Sequence, residues 1–273
     1  MTASYARGAA WLAIGSAGLA IALIATSGCG HHRNDAQLPP VEALPPPPQN
    51  YPQTGDTLPP PPKVIPPMRI PPTPVPPGGV SLEDLDFVAT HRPILSEEGL
   101  ATWYTAPYRG RKAANGQVFD DTAMTAAHRT LPMGSLIMVT NLRTGQSGTM
   151  RITDRGPFVE GRIVDLTIAS AKVTGVYLAG LVPVRIDVYQ TPKSIAHGGR
   201  WCVQIGAFKS ELRAQRLKSQ LQRIYPASTV IEFPGENSFW VRIRPAGDNR
   251  EQAEYIARHL RPVEGKAFLT RLD

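Results

Sequence analysis

Proton transfer needs a carboxyl or imidazole held at the edge of a cavity, and few such groups in this sequence sit in a defined setting. Asp154 ends the strand-like run Gly148 to Asp154 and precedes Gly156-Pro157, a turn that sets its carboxyl at the rim of the sheet the strand joins. An aspartate that only caps the turn satisfies the same pattern. His128 follows the small residues Thr125-Ala126-Ala127, so its ring is free either to face a cleft or to brace the fold through hydrogen bonds. Gln117 follows the Ala114-Asn115-Gly116 turn; its amide can hydrogen-bond but cannot take part in acid–base chemistry. Asp120 and Asp121 lie nearby, with nothing in the pattern to bring either into a cleft. Asp165, inside Val164-Asp165-Leu166, is expected to brace the fold rather than react. The sequence holds no His/Cys cluster with metal-ligand spacing and no phosphate-cradling glycine loop, so neither metal nor cofactor is expected.

Two folded units must position these side chains. From Gly99 to about residue 191, short runs alternate apolar with polar residues: Gly99 to Tyr104, Ser135 to Asn141, Gly148 to Asp154 and Val182 to Tyr189. Asn141 to Gly145 supplies a hairpin connection, and only Ala169 to Val173 reads as helical. Five or six short strands in so short a stretch predict a small closed barrel. Residues 200–273 carry an internal repeat, a strand and then an amphipathic helix, twice over. Ala214, Leu217, Leu221 and Ile224 form the first apolar stripe; Ala253, Ile256, Ala257 and Leu260 form the second. Asp248 with Glu251 reads as a capping box at the second helix. Thr229 to Phe233 and Ala267 to Leu272 complete a βαββαβ order, which is ferredoxin-like.

The remaining sequence is not globular. Residues 1–28 read as a signal peptide, with Arg7 ahead of the apolar run Ala9 to Ala25; a single membrane-spanning anchor is the alternative. Within residues 29–80, Pro39 to Pro77 holds most of the chain's 28 prolines. Such runs favour extended polyproline II and predict a tether, with a ligand for a proline-binding module as the other reading. Residues 81–98 form an acidic lead-in without an assigned structure. The net charge of +7 suits nucleic acid for an intracellular chain, and anionic wall polymer or a membrane surface for an exported one. Of the two cysteines, Cys202 lies in an apolar run and is expected to be a buried, inert thiol.

Five motifs stand in order: Gly99 to Tyr104, Gly110 to Gly116, Thr125 to Pro132, Asp154 to Phe158 and Arg162 to Thr167. Together they closely resemble the rare lipoprotein A (RlpA) family of septal lytic transglycosylases. Trp201 to Phe208 and Phe239 to Arg244 are similar to a SPOR domain, a module that binds glycan strands stripped of their stem peptides. The resemblance implies a six-stranded double-psi β-barrel followed by the ferredoxin-like SPOR unit. It implies cleavage between N-acetylmuramic acid and N-acetylglucosamine with a 1,6-anhydro product. In that reaction one carboxyl can act first as acid and then as base, and no water attacks.

Carried onto this sequence, the resemblance makes Asp154 the central carboxyl and His128 its companion. Gln117 stands where the family usually has a Glu counted among its active-site carboxylates. If two carboxylates are required, the chain is an impaired, glycan-binding relative; if Asp154 suffices, the amide only retunes it. Trp103, Tyr104, Asn115, Arg155, Gln204 and Trp240 are the candidate substrate contacts, although Trp103 and Tyr104 suit core packing equally. Thr26-Ser27-Gly28-Cys29 resembles a lipobox, with Thr26 where Leu is usual, so lipidation is expected at Cys29. The expected partners are peptide-free peptidoglycan strands and, through Cys29, a membrane. Nucleic acid is not expected, because a signal peptide precedes the folded units and the SPOR-like unit lacks the RNA-binding signature. A monomer is expected, exported and lipid-anchored, facing the periplasm from an outer membrane where the cell has one, and enriched at the septum.

Overall fold

The computed structural model describes residues 78–105, 108–235 and 238–273. The expected signal peptide, Cys29 and the proline tether lie outside these residues. Among the described residues no helix is long and apolar enough to cross a membrane.

Half of the unassigned lead-in forms a helix, α1 (Leu82–Thr90), which begins at a reciprocal cap. Ser81 Oγ accepts from the Asp84 N–H, and the Asp84 carboxylate accepts from the Ser81 N–H. Asp84 also receives the guanidinium of Arg151 from the following domain. Burial works against the Asp84 charge, but the Arg151 and Ser81 bonds outweigh it and hold the pKa below the ordinary value.

Strand β1 (Leu95–Trp103) starts upstream of the expected Gly99. It is followed by β2 (Thr125–His128), β3 (Leu136–Asn141), β4 (Ser147–Asp154) and β5 (Arg162–Leu166). Two short helices, α2 (Ile168–Val173) and α3 (Val176–Ala179), then precede β6 (Val182–Gln190). The strands close into a barrel in the order β1-β5-β2-β4-β3-β6. Pairings β1–β5 and β2–β4 are parallel; the other four are antiparallel. Closure leaves no sheet edge exposed. Alternate residues such as Met150, Ile152, Val184 and Ile186 fill the interior. The hairpin from Asn141 to Gly145 is closed by the Gly145 N–H donating to the Asn141 carbonyl at 2.8 Å.

The C-terminal unit consists of β7 (Trp201–Phe208), α4 (Glu211–Ile224), β8 (Thr229–Gly235), β9 (Ser238–Arg244), α5 (Arg250–His259) and β10 (Lys266–Arg271). The sheet order β10-β7-β9-β8, antiparallel throughout, is the ferredoxin-like arrangement. Both helices cover one face, where Ala214, Leu221, Ala253 and Ile256 pack on Val203, Ile205, Val241 and Ile243. Two expectations need correction. Ile224 ends its helix and stays exposed rather than joining the apolar stripe. Asp248 does not cap α5: Asn249 does, accepting from the Gln252 N–H, while the Asp248 carboxylate is taken by Arg200 and Arg244.

Candidate active site

A bulge sets the central carboxyl. In the parallel pair β2–β4 the register runs Ala126 opposite Ile152 but Ala127 opposite Asp154, so β4 carries one extra residue at its end. On its other side Ala127 faces Asp165 of β5. The two aspartates therefore flank one alanine across three neighbouring strands, about 10 Å apart at their Cα atoms from two strand spacings. Ala127, whose side chain is a single methyl group, leaves space between them. Both carboxyls line a cleft of about 780 Å³, together with Tyr104, Phe158, Gln204 and Trp240.

The two carboxyls differ in their partners. Asp154 Oδ1 accepts backbone N–H bonds from Ala114 at 3.0 Å and Arg155 at 2.8 Å. Burial nevertheless raises its pKa above the ordinary value, against the effect of those two bonds. Asp165 is bound by Arg162. Burial raises its pKa as well; Arg162 opposes that rise, and the charge of Asp154 adds to it. Tyr104 sits beside both acids, and its phenol is pushed well above its ordinary pKa, chiefly by burial and then by their charges. Its hydroxyl is buried without a hydrogen-bond partner among the described residues. Its ring packs between Phe119 and Tyr108.

His128 is turned away from this cleft. Its ring is buried; Nδ1 accepts from the backbone N–H groups of Thr130 and Leu131 at 3.2 and 3.1 Å, and Nε2 lies 3.3 Å from Glu97 Oε2. An Nδ1 that accepts two bonds carries no proton, so the ring is the neutral tautomer with Nε2–H donating to Glu97. Burial lowers its pKa, and the contact with Glu97 is a hydrogen bond rather than an ion pair at neutral pH. The imidazole thus shapes the loop after β2 and does not touch Asp154.

Gln117 lines a second, smaller pocket of about 230 Å³ with Gly78, Gly79 and Asn115. Its Oε1 accepts from Asn115 Nδ2 at 2.5 Å, and its N–H donates to Asn115 Oδ1 at 3.0 Å, a local turn that uses the Asn115 side chain. Ala113 and Phe119 line both pockets and form the wall between them. Trp103 packs on the barrel core, its indole N–H donating to the Tyr177 carbonyl at 3.2 Å. Asp120 accepts from Thr122, and Asp121 is buried against Thr105 and Arg109. Neither reaches the larger cleft.

Arg155 lines the cleft with its backbone neighbours, but its guanidinium joins the domains. It donates to the carbonyls of His128 and Leu131 in the barrel and of Arg271 and Asp273 in the C-terminal unit. Burial lowers its pKa to about 10, which leaves it charged at neutral pH. Around it Phe158 packs on Trp240 and Phe268 with ring centroids 5.6 and 5.9 Å apart, and the Arg271 N–H donates to the Arg129 carbonyl at 2.9 Å. Cys202, buried behind this contact, has its thiol raised to about 11 by burial.

The structure thus brings Asp154, Tyr104, Gln204 and Trp240 together, and sets Gln117, Asn115, Trp103 and the His128 ring apart from them. Sequence reasoning expected Asp165 to brace the fold, and its bond to Arg162 fits that role, but it did not foresee that Asp165 and Phe158 would also line the cleft. The available signal was alternation: in β5, Asp165 falls between buried Val164 and Leu166 and must face the other way.

Residues 96–186 match a double-psi β-barrel family described as lytic transglycolase, and residues 197–271 match the SPOR domain. A Campylobacter jejuni protein named endolytic peptidoglycan transglycosylase RlpA is 35% identical over 158 residues, 49% of this chain and 58% of that protein. The Vibrio cholerae protein of the same name is 37% identical, over 50% of this chain and 55% of its own length. A Synechocystis protein named probable endolytic peptidoglycan transglycosylase RlpA is 49% identical over 34% of this chain and 29% of its own. The chain therefore spans less than two thirds of each of these relatives.

Proposed function

We propose that the chain is a member of the RlpA family, in the form that carries a C-terminal SPOR domain, and that it cleaves peptide-free peptidoglycan strands between N-acetylmuramic acid and N-acetylglucosamine as an endolytic lytic transglycosylase. The observation that carries this reading is the pair Asp154 and Asp165 on either side of Ala127 in one cleft. Their environments suit different tasks. Asp154, with no arginine bound to its carboxyl among the described residues and with its backbone bonds gathered on Oδ1, is the proton carrier. Asp165, held by Arg162, supplies negative charge to the anomeric carbon as positive charge develops there.

In the first step the Asp154 carboxyl gives its proton to the bridging oxygen, the bond from that oxygen to the anomeric carbon breaks, and the N-acetylglucosamine side leaves with its hydroxyl. In the second, the muramic acid C6 oxygen bonds to the anomeric carbon and its proton passes to Asp154. The acid is regenerated, a 1,6-anhydro ring closes and no water is consumed. The reaction belongs to periplasmic cell-wall remodelling at the division septum, with the chain tethered to a membrane through lipidated Cys29 and acting as a monomer on glycan rather than nucleic acid.

Gln117 favours a second reading, a glycan-binding relative without cleavage, since the family usually has Glu at that position. Its side chain, however, borders the smaller pocket and hydrogen-bonds Asn115, so the amide takes no carboxylate from the Asp154 cleft. The test is digestion of peptide-free strands by the full chain, read by mass spectrometry. Anhydro-ended fragments that disappear with Asp154→Asn support the enzyme. No product from the natural chain, with product appearing on Gln117→Glu, establishes the binding relative.

A further inference from the structure

A sheet covered by helices on one face has only its other face to offer a ligand. In the C-terminal unit α4 and α5 cover the face bearing Val203, Ile205, Val241 and Ile243. Alternation puts Cys202, Gln204 and Gly206 of β7, Trp240 and Arg242 of β9, and Phe268 of β10 on the opposite face. That face is not free. Phe158 of the barrel seats on Trp240 and Phe268, the Arg129 guanidinium lies 5.6 Å from the centre of the Phe268 ring, and both Gln204 and Cys202 are buried. Where this face opens, at Gln204 and Trp240, it opens into the cleft that holds Asp154 and Asp165.

We propose that the two domains share one glycan site: the SPOR sheet is the second wall of the catalytic cleft, and Trp240 is a sugar-stacking platform within it. The inference rests on the lytic transglycosylase reading and adds to it that strand capture and cleavage occur in one groove rather than at two separate sites. Trp240 is built for the role. Its indole lies against Gly206, where an added Cβ would come within 2.6 Å of the ring, so the glycine lets the ring lie flat on the strand. Its N–H is held by Ser238 Oγ at 3.1 Å, which fixes the ring plane. An indole face presented beside a cleft suits the apolar C–H face of a pyranose. Gln204, oriented by an Arg242 N–H to its Oε1 at 3.0 Å, supplies an amide for hydroxyl or acetamido groups. On the facing wall Tyr104 and Tyr108 add aromatic surface to the same cleft.

The test uses the full chain carrying Asp154→Asn, so that glycan binds without turnover, titrated calorimetrically with a peptide-free hexasaccharide of peptidoglycan. One glycan per chain is expected. Trp240→Ala, on the SPOR wall, and Tyr108→Ala, on the barrel wall, should each weaken that one event about tenfold or more, and Trp240→Phe should recover most of the loss. Gly206→Ala should weaken binding as Trp240→Ala does, by displacing the ring without removing it; equal thermal melting of the variants excludes misfolding. Two glycans per chain, or a Trp240→Ala affinity within twofold of its parent, would overturn the shared site. Failure of the underlying activity shows elsewhere, as a natural chain that binds the hexasaccharide but releases no anhydro-ended product.

Discussion

The two pockets of the barrel are divided by Ala113 and Phe119, yet they are chemically unlike. The larger, about 780 Å³, holds two partly buried carboxyls whose pKa values are both raised, a buried phenol and aromatic rings from both domains. The smaller, about 230 Å³, holds Gln117 and Asn115, which hydrogen-bond each other twice. Satisfied polar groups maintain a fold; desolvated and partly unsatisfied ones wait for a reactant. The difference teaches that a departure from a family's motif must be judged by the cavity it faces.

Five measurements can break or sharpen that contrast. The largest effect is expected from Asp154→Asn, which keeps Oδ1 for the two backbone bonds but has no proton to exchange; kcat should fall by about 10³-fold. If activity stays within tenfold, the larger cleft is not the reacting one. Next, Asp165→Asn should cost about 10- to 100-fold in kcat, measured with anhydro product as the readout. The same variant should move the alkaline limb of the kcat/KM profile to lower pH. Catalysis needs protonated Asp154, so activity is lost as pH rises through its raised pKa; like charges in one cleft disfavour each other's ionisation, so removing that of Asp165 should bring the pKa down. An unmoved limb would mean that the two carboxyls do not sense one another.

A thermal measurement gives a smaller effect. Burying Asp154 in its ionised form opposes folding at any pH above its raised native pKa, and the penalty disappears as pH falls below the unfolded value near 3.8. Asp154→Asn should therefore raise Tm by about 1–3 °C at pH 7 and by nothing at pH 3. A Tm that falls at neutral pH would show that the carboxylate stabilises the fold. The smallest change is expected from Gln117→Glu, within about threefold in kcat because the new carboxyl faces the smaller pocket. A gain of a hundredfold would place residue 117 in the chemistry and reverse the contrast between the pockets.

Much of this architecture was legible beforehand, for local reasons. Period-two alternation in β3, β4 and β6, together with the hairpin at Asn141 to Gly145, announced the barrel, and the repeated strand–helix pattern announced the C-terminal sheet. Asp154 was legible because a strand end before Gly-Pro is a rim position. The rest depended on long-range contacts. Only the register slip opposite Ala127 shows that Asp165 comes beside Asp154. Which of the two readings of His128 holds was not legible, because local sequence does not reveal that two backbone N–H groups will claim Nδ1. Arg155 looked like a ligand contact because nothing nearby in sequence indicates that residues 271 and 273 will supply carbonyls to it.

The position of Arg155 has a mechanical consequence. Its guanidinium, one residue from Asp154, is clasped by two carbonyls from each domain, and the connection after β6 is itself held where Arg271 and Arg250 take the carbonyls of Ser194 and Ile195. Pulling the domains apart would strip that cation of two of its four carbonyl acceptors. Load applied to one domain therefore reaches the other through a joint one residue from Asp154, and a polymer gripped by both would be held against a jaw of fixed gape.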